Sequence, residues 1–246
     1  MFLISVICVS NDKKVLNDYL MKSLDSQQAE YELIVVDNST GRFTSAASAL
    51  NWGALDAKGD FLMFVHQDFD FESSEWLTKC ERLCAGTENL GAAGAAGKGE
   101  GRGIVSNIKD RWPEPKRVGN TDVDAMTKVQ TLDECLIVIP RNVFARFRFD
   151  EKTCDNWHLY AVDISLTLLE NGLGVYVLPL PGYHRSNNKS LRSGDYFETM
   201  KRVLRKHEGS FAKVYTTCGT WSGRMPFFVQ RMRLMILLGL LKYEEG

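Results

Sequence analysis

Three short polar clusters in this chain carry residue types that can bind or move charge: Ser10-Asn11-Asp12, Asp37-Asn38, and His66-Gln67-Asp68 with Asp70 just beyond. Each follows a β-branched or aromatic run. Each is therefore expected at the carboxyl end of a strand, the edge of an open parallel sheet where ligands gather. A carboxylate there can accept from a nucleobase N–H or a ribose hydroxyl, and an Asp beside a His can hold a divalent cation through oxygen and imidazole nitrogen. Alone, any one cluster is ordinary turn and cap chemistry, because Asp and Asn favour both places without a ligand. Together on one edge they favour a site. Later in the chain Asp133, Glu134, Asp150, Glu151 and Asp163 are candidates for a general base. Asp163 differs in standing between Val162 and Ile164 in an apolar helical stretch, where desolvation would raise its pKa toward a useful range. The alternative is a helix-surface Asp facing solvent.

Other chemistries fail on spacing. The glycine-rich stretch from Gly91 to Gly103 invites a phosphate loop, but neither the dinucleotide fingerprint nor the P-loop pattern fits it: Arg102, Ile104 and Ser106 stand where glycines are needed, and Lys98 precedes Gly99. It is expected to be a strand edge plus a flexible loop. There is no Gly-x-Ser-x-Gly, and Cys8, Cys80, Cys84, Cys135, Cys154 and Cys218 show neither a nucleophile signature nor Cys-x-x-Cys spacing. They are expected to be reduced, mostly buried thiols in the cytoplasm.

The elements that must position the polar clusters follow from hydrophobic period. Short β-branched runs alternate with helical patterns over the first 65 residues, the sign of βαβ units and a parallel sheet. Strands are expected over 3–9, 32–36 and 61–65. The first helix runs through Val15, Leu16, Tyr19, Leu20 and Leu24; the second carries Ala46, Leu50 and Ala54, with Gly59 as its stop. A helix around Trp76 to Cys84, a strand opening at Leu90, and a long excursion from Glu100 to Asp124, a mobile flap or poorly ordered, come next. Structure resumes over 129–140, a strand broken at Asp133-Glu134, then a helix from Trp157 to Glu170 and a strand from Val175 to Leu180. Residues 193–242 read as helical and basic.

Composition sets the outer bounds. With 246 residues, 44% apolar and 25% charged, the chain can bury a core without disulfides or a structural metal. A net charge of −1 excludes a globally basic nucleic-acid binder. From Arg185 to Lys242, however, twelve Lys and Arg face three Asp and Glu, so an anionic partner would be met there. No apolar run approaches a membrane span, and the first strand lacks the basic start of an export signal.

Taken in order, several segments resemble a family 2 glycosyltransferase of the GT-A fold: Ile4 to Asn11, Tyr31 to Ser39, Asn51 with Gly59-Asp60, Phe61 to Asp68, Leu132-Asp133-Glu134 before Pro140-Arg141, Phe149 to Glu151, Tyr160 to Leu166, and His184. The resemblance covers about three quarters of the chain. It implies an α/β fold, a Rossmann-like mixed sheet flanked by helices, as one GT-A domain over 1–192 (a nucleotide-binding half at 1–100, an acceptor half at 125–192) with a basic helical extension over 193–246. It implies a nucleotide-sugar site from Ser10, Asn11, Asp37, Asn38, Asn51, Gln67 and Asp68. The family's D-x-D motif, counted from Gly59-Asp60, falls on His66-Gln67-Asp68, so the implied ligands of Mg²⁺ or Mn²⁺ are Asp68, His66 and Asp70, with His184 from afar. Asp163 stands at the last Asp of the family's acidic helix motif, with Ala161 at the preceding acidic position, and would be the catalytic base of an inverting displacement. Asp133 and Glu134 would border the acceptor, and a flap closing over the donor would lie within 101–124.

The function so implied is metal-assisted hexosyl transfer from a UDP-, GDP- or dTDP-linked sugar to a saccharide or lipid-linked acceptor, in polysaccharide assembly. Two alternatives stay open: a catalytically impaired nucleotide-sugar binding module of the same fold, and a nucleotidyltransferase, against which the missing glycine-rich loop after the first strand argues. The C-terminal helix, with Arg231, Arg233 and Lys242 beside Met232, Leu234, Met235 and Ile236, would either dock on its own domain or a second copy in a homodimer, or rest on the inner face of an anionic membrane.

Overall fold

The computed structural model describes residues 2–110, 114–119, 122–185 and 194–244. The chain opens with β1 (Ile4–Ser10), then α1 (Lys13–Leu16), a π-helical turn over Asn17–Met21 and α2 (Lys22–Leu24) as one continuous amphipathic segment, then β2 (Tyr31–Asp37) and α3 (Ala46–Gly53). It continues through β3 (Phe61–Val65), β4 (Phe69–Phe71), α4 (Trp76–Ala85), β5 (Leu90–Gly94) and β6 (Ala96–Lys98). Short strands follow: β7 (Ile104–Ser106), β8 (Ile108–Asp110), β9 (Lys116–Arg117), β10 (Thr127–Lys128) and β11 (Thr131–Leu132). Then come β12 (Leu136–Pro140), α5 (Arg141–Arg146), α6 (Tyr160–Glu170), β13 (Gly174–Val177) and β14 (Gly182–His184). The chain ends in α7 (Gly194–Lys206), the hairpin β15 (Val214–Thr216) and β16 (Gly219–Trp221), and α8 (Phe227–Glu244).

Seven strands form the central sheet in the order β10-β13-β5-β12-β3-β1-β2. β1 runs parallel to β2 and β3, and β12 is antiparallel to both β3 and β5, which makes the sheet mixed. Its strands are apolar throughout because both faces are covered, and the two-residue period sorts their side chains. Ile4, Val6, Cys8, Phe61, Met63, Val65, Leu136 and Val138 pack with the helical segment after β1 and with α4. Ile7, Leu62, Phe64, Ile137 and Ile139 pack with α3, α5 and α6. A third cluster joins the far side of α6, through Leu159, Val162 and Leu166, to Phe197, Met200 and Val203 of α7 and to Trp221 of the hairpin.

Several expectations change. α3 stops at Gly53, and Gly59 serves another purpose: a Cβ there would lie 2.5 Å from the Ser5 backbone nitrogen, so the close approach to β1 requires glycine. The excursion over 100–124 is strand-bearing in its described parts. β7 pairs with β6 and β8 with β14, held by buried Val105 and Ile108; residues 111–113 and 120–121 lie outside the described set. α6 begins at Tyr160, preceded by Leu159 at φ +68°, a left-handed conformation that a non-glycine residue seldom adopts. The segment expected to be helical from 193 contains the hairpin, and the boundary at 192–193 lies outside the described residues.

In α8, Phe227 stacks on Trp221, while Phe228, Met232, Met235 and Ile236 are exposed. Among the described residues no helix is long and apolar enough to cross a membrane.

Candidate functional site

β3 ends at Val65, and the three residues that follow carry the chemistry. His66 is held by its amide, which donates to the Cys135 carbonyl at the start of β12. A small second sheet, β4-β14-β8-β9, brings His184 to the same place: β14 pairs with β4 so that His184 faces Phe69, and the Arg185 amide donates to the Asp68 carbonyl. His66, Asp68 and His184 thus converge, with one potential ligand atom from each within 4.8 Å of the others. Asp70 stands outside this group, because it lies within β4, between the buried Phe69 and Phe71 and opposite Tyr183.

The hydrogen bonds around His66 assign its proton. The Tyr160 hydroxyl can donate to the Glu134 carbonyl at 3.1 Å, and His66 Nε2, 3.3 Å away, then donates to that hydroxyl. Nδ1 is left as the lone-pair nitrogen, 3.2 Å from His184 Nε2, which is itself 3.4 Å from Asp68 Oδ1. Burial, and then His184, keep His66 below its usual range and so neutral, the form that ligates metals. For Asp68, burial opposes the charge, but the hydrogen bond and charge of His184 outweigh it and hold the carboxyl low; the same pairing outweighs burial at His184 and raises it. Two imidazoles and one carboxylate with convergent atoms fit a divalent cation of the Mn²⁺ kind.

One cavity of about 330 Å³ opens beside this cluster, lined by Val9, Asn11, Gln67, Asp68, Tyr160 and the exposed Trp157, with His66 at its end. Gln67 ties the ends of β1 and β3 together: its Oε1 accepts from Ser10 Oγ and from the amides of Asn11 and Asp12, and its Nε2 donates to Asn11 Oδ1. Asp37 sits opposite Ser10 at the end of β2, where the Ser39 amide donates to it and holds its carboxyl below the usual range. Asn38 and Asn51, expected at a nucleotide, are otherwise engaged. Asn38 exchanges two hydrogen bonds with the Phe43 backbone, and buried Asn51 does the same with Phe149 while also donating to Glu151. Both amides close loops.

On the other side of His66 lies a cavity of about 190 Å³, reached by His184, Asp110, Asp133 and Glu134 and walled by Thr216, Thr217 and Cys218. Glu134 accepts from the amide of the left-handed Leu159. Burial, with Asp133 beside it, pushes the Glu134 carboxyl up to about 8. Asp133 goes the other way: against burial, His184 and the Thr217 hydroxyl hold it below the usual range.

Asp163 lines neither cavity. On α6 the stretch Leu159, Tyr160 and Val162 turns toward the cavities, whereas Asp163 and Glu170, two turns apart, face α7. Its Oδ1 lies 3.0 Å from His207 Nε2 and its Oδ2 2.8 Å from Lys206 Nζ, while His207 Nδ1 reaches Glu170 and Lys206 also reaches Asp150. The expectation of a catalytic base at 163 is therefore corrected: this carboxylate is the centre of a buried clamp that fastens α7 to α6. His207→Ala is expected to destabilise the fold by about 3 kcal/mol, since it leaves two carboxylates short of a buried partner. The carboxylates outweigh burial and raise His207 above 6.5. Its contribution is thus fully present below about pH 6.5 and is lost as pH rises through the raised value. Melting temperature measured from pH 6 to 9 should decline more steeply in the native chain than in His207→Gln, where the raised Glu134 carboxyl still titrates.

The structure brings Ser10, Asn11 and Gln67 together and His66, Asp68 and His184 together, and places Trp157, Tyr160, Asp110 and Thr217, which sequence reasoning did not single out, on the walls of the two cavities. Tyr160 had a signal, as the first residue of an apolar helix that follows a polar turn. Thr217 had none, lying in a segment whose pattern read as helical.

A family described as "Glycosyltransferase like family" matches residues 5–207. No curated protein matches. Among solved structures, S. aureus TarS 1-349 in complex with UDP-GlcNAc is similar at TM-score 0.58 and 14% identity, over 84% of this chain and 66% of that one. GalNAc-T7 with UDP, GalNAc and Mn²⁺ is similar at 0.61 and 15%, over 85% of this chain and 49% of that one. The mannosyltransferase PcManGT from Pyrobaculum calidifontis, with GDP-Man and Mn²⁺, is similar at 0.59 and 12%, over 95% and 69%. This chain thus spans just under two thirds of the TarS fragment and about half of GalNAc-T7.

Proposed function

The chain belongs to this glycosyltransferase-like family and has the GT-A fold, and on that premise we propose that it moves a sugar from a UDP-, GDP- or dTDP-linked donor to a hydroxyl of a saccharide or lipid-linked acceptor, with inversion. The observation that carries this is the meeting of two cavities at His66, the larger beside Asp68, Gln67 and Asn11 and the smaller beside Glu134 and Asp133. A donor in the first and an acceptor in the second would face each other across the His66, Asp68 and His184 cluster.

In this reading Asn11, Gln67, Ser10 and Asp37 hold the nucleoside end, and Trp157 offers its exposed ring to the donor. His66, Asp68 and His184 would hold a divalent cation; Mn²⁺ accompanies a nucleotide in two of the similar structures. Such a cation neutralises charge on a leaving diphosphate. Glu134, once deprotonated, takes the proton of the attacking hydroxyl. The freed oxygen bonds to the anomeric carbon as that carbon's bond to the diphosphate breaks on the opposite face, which inverts the centre. Asp133, held by Thr217, accepts from a neighbouring acceptor hydroxyl and keeps the ring in place.

A thermal-shift series with UDP, GDP and dTDP, each with and without Mn²⁺, tests the reading. At 100 times its Kd a ligand of the folded state adds about 2.7 kcal/mol, which in a chain of this size raises the melting temperature by roughly 5–10 °C. The expected result is a shift with one nucleotide that grows with Mn²⁺. A shift without metal dependence or turnover would favour the binding-module alternative, and no shift with any nucleotide would overturn both.

A further inference from the structure

The family match ends at residue 207, yet the hairpin that starts at Val214 walls the smaller cavity. It is fastened there by contacts that have no part in its own pairing. Thr131 Oγ1 donates to the Tyr215 carbonyl, the Tyr215 amide donates to Gln130 Oε1, and Gln130 Nε2 donates to the Lys213 carbonyl. The Tyr215 hydroxyl donates to Glu100, and Thr217 Oγ1 donates to Asp133 Oδ2 at 2.7 Å. The last of these places a hairpin side chain directly on a carboxylate of the cavity.

The lining then selects by charge and size. Asp110, Asp133 and Glu134 face the cavity, and no Lys or Arg is among its lining residues. A phosphate or carboxylate entering would meet the Asp110 and Asp133 carboxylates, and of the two lining histidines His184 is already paired with Asp68 while His66 shares its ring nitrogens with His184 and Tyr160. Hydroxyl groups, in contrast, donate to carboxylates and threonine oxygens. At about 190 Å³, with apolar wall from Ile104, Ile108 and Leu132, the space is below the roughly 300 Å³ at which drug-sized pockets begin. It suits one ring.

Resting on the function proposed above, we infer that the 214–221 hairpin completes a single-ring subsite for an uncharged, polyhydroxylated sugar, and that Thr217 and Asp110 set this choice. The acceptor's terminal residue is thus a neutral sugar, whatever carries it.

The test uses the full chain saturated with whichever nucleoside diphosphate raises its melting temperature, with Mg²⁺, and measures binding by saturation-transfer NMR. Methyl hexopyranosides, hexose 6-phosphates and hexuronates are the probes. Neutral glycosides should bind in preference to both anions. Thr217→Val should weaken neutral-glycoside binding by about fivefold or more, the loss of one hydrogen bond to a buried carboxylate network, and Asp110→Lys should move the preference toward the hexose phosphate. Both variants should keep the native nucleotide shift, which reports the larger cavity. The inference is overturned if the anions bind the native chain as tightly as the neutral glycosides, or if both variants bind all probes as the native chain does. A chain that shows no nucleotide shift fails at the functional reading itself, and this inference falls with it.

Discussion

Asp68→Asn is expected to lower turnover by about 10²–10³-fold, the usual effect of removing one group that stabilises transition-state charge, and to erase any dependence of nucleotide binding on Mn²⁺. Asp68 is the one carboxylate among the three converging side chains. Asparagine preserves its shape, so the turn after β3 should persist, with the Asp68 carbonyl still accepting from the Arg185 amide. What is lost is the negative charge, together with the partner that keeps His184 raised. The discriminating readout is the thermal shift with nucleotide, with and without Mn²⁺. If Asp68→Asn retains the native metal effect, the cation is held elsewhere and the assignment of the cluster is wrong.

Glu134→Gln is expected to cut kcat by about 10²–10⁴-fold, the range for a lost general base. The amide oxygen of glutamine can still accept from the Leu159 N–H, so the left-handed turn into α6 keeps its partner. The pH profile supplies the second signature. A carboxyl pushed up to about 8 is the base only in its deprotonated form, so native kcat/KM should climb as pH rises through that value, and the limb should vanish in Glu134→Gln. Asp163→Asn is the matched control. Fastened to Lys206 and His207, Asp163 should, when replaced, lower the melting temperature while the molecules that remain folded keep their kcat. The opposite pattern, a folded Asp163→Asn without activity beside an active Glu134→Gln, would return the base to α6.

Those two carboxylates also show where sequence is informative and where it stops. Glu134 was legible as a break in an apolar strand, because two acids between Leu132 and Cys135 can only interrupt a sheet or face a cavity. Asp163 was legible as an acid within an apolar helical stretch, with a buried and a solvent-facing position both open, and was assigned a task different from the clamp it forms. An α-helix advances about 100° per residue, so a polar residue inside an apolar stretch can be turned to solvent, to a cavity or to a packed neighbour without any change in the pattern around it. Here Val162 reaches both the cavity and α7, while Asp163 meets Lys206 and His207 at the end of α7 and lines no cavity wall of the site, a difference of one position that apolar neighbours on both sides conceal. Asn51 illustrates the same gap: the resemblance placed it at the nucleotide sugar, and its use in closing the loop at Phe149 left no local signal.

By itself the sequence determined the layered α/β architecture, the order of its first three strands, the polar strand ends at Ser10, Asp37 and His66, and the absence of a phosphate loop. All of these are written in periods of two and 3.6 and in the residues that end each run, which act over a few neighbours. Only the tertiary structure decided that His184 closes on Asp68, that Thr217 reaches Asp133, and that Asp163 belongs to a clamp. Those meetings join residues far apart in the chain through the packing of whole elements, and no local spacing encodes the distance between two surfaces that fold together.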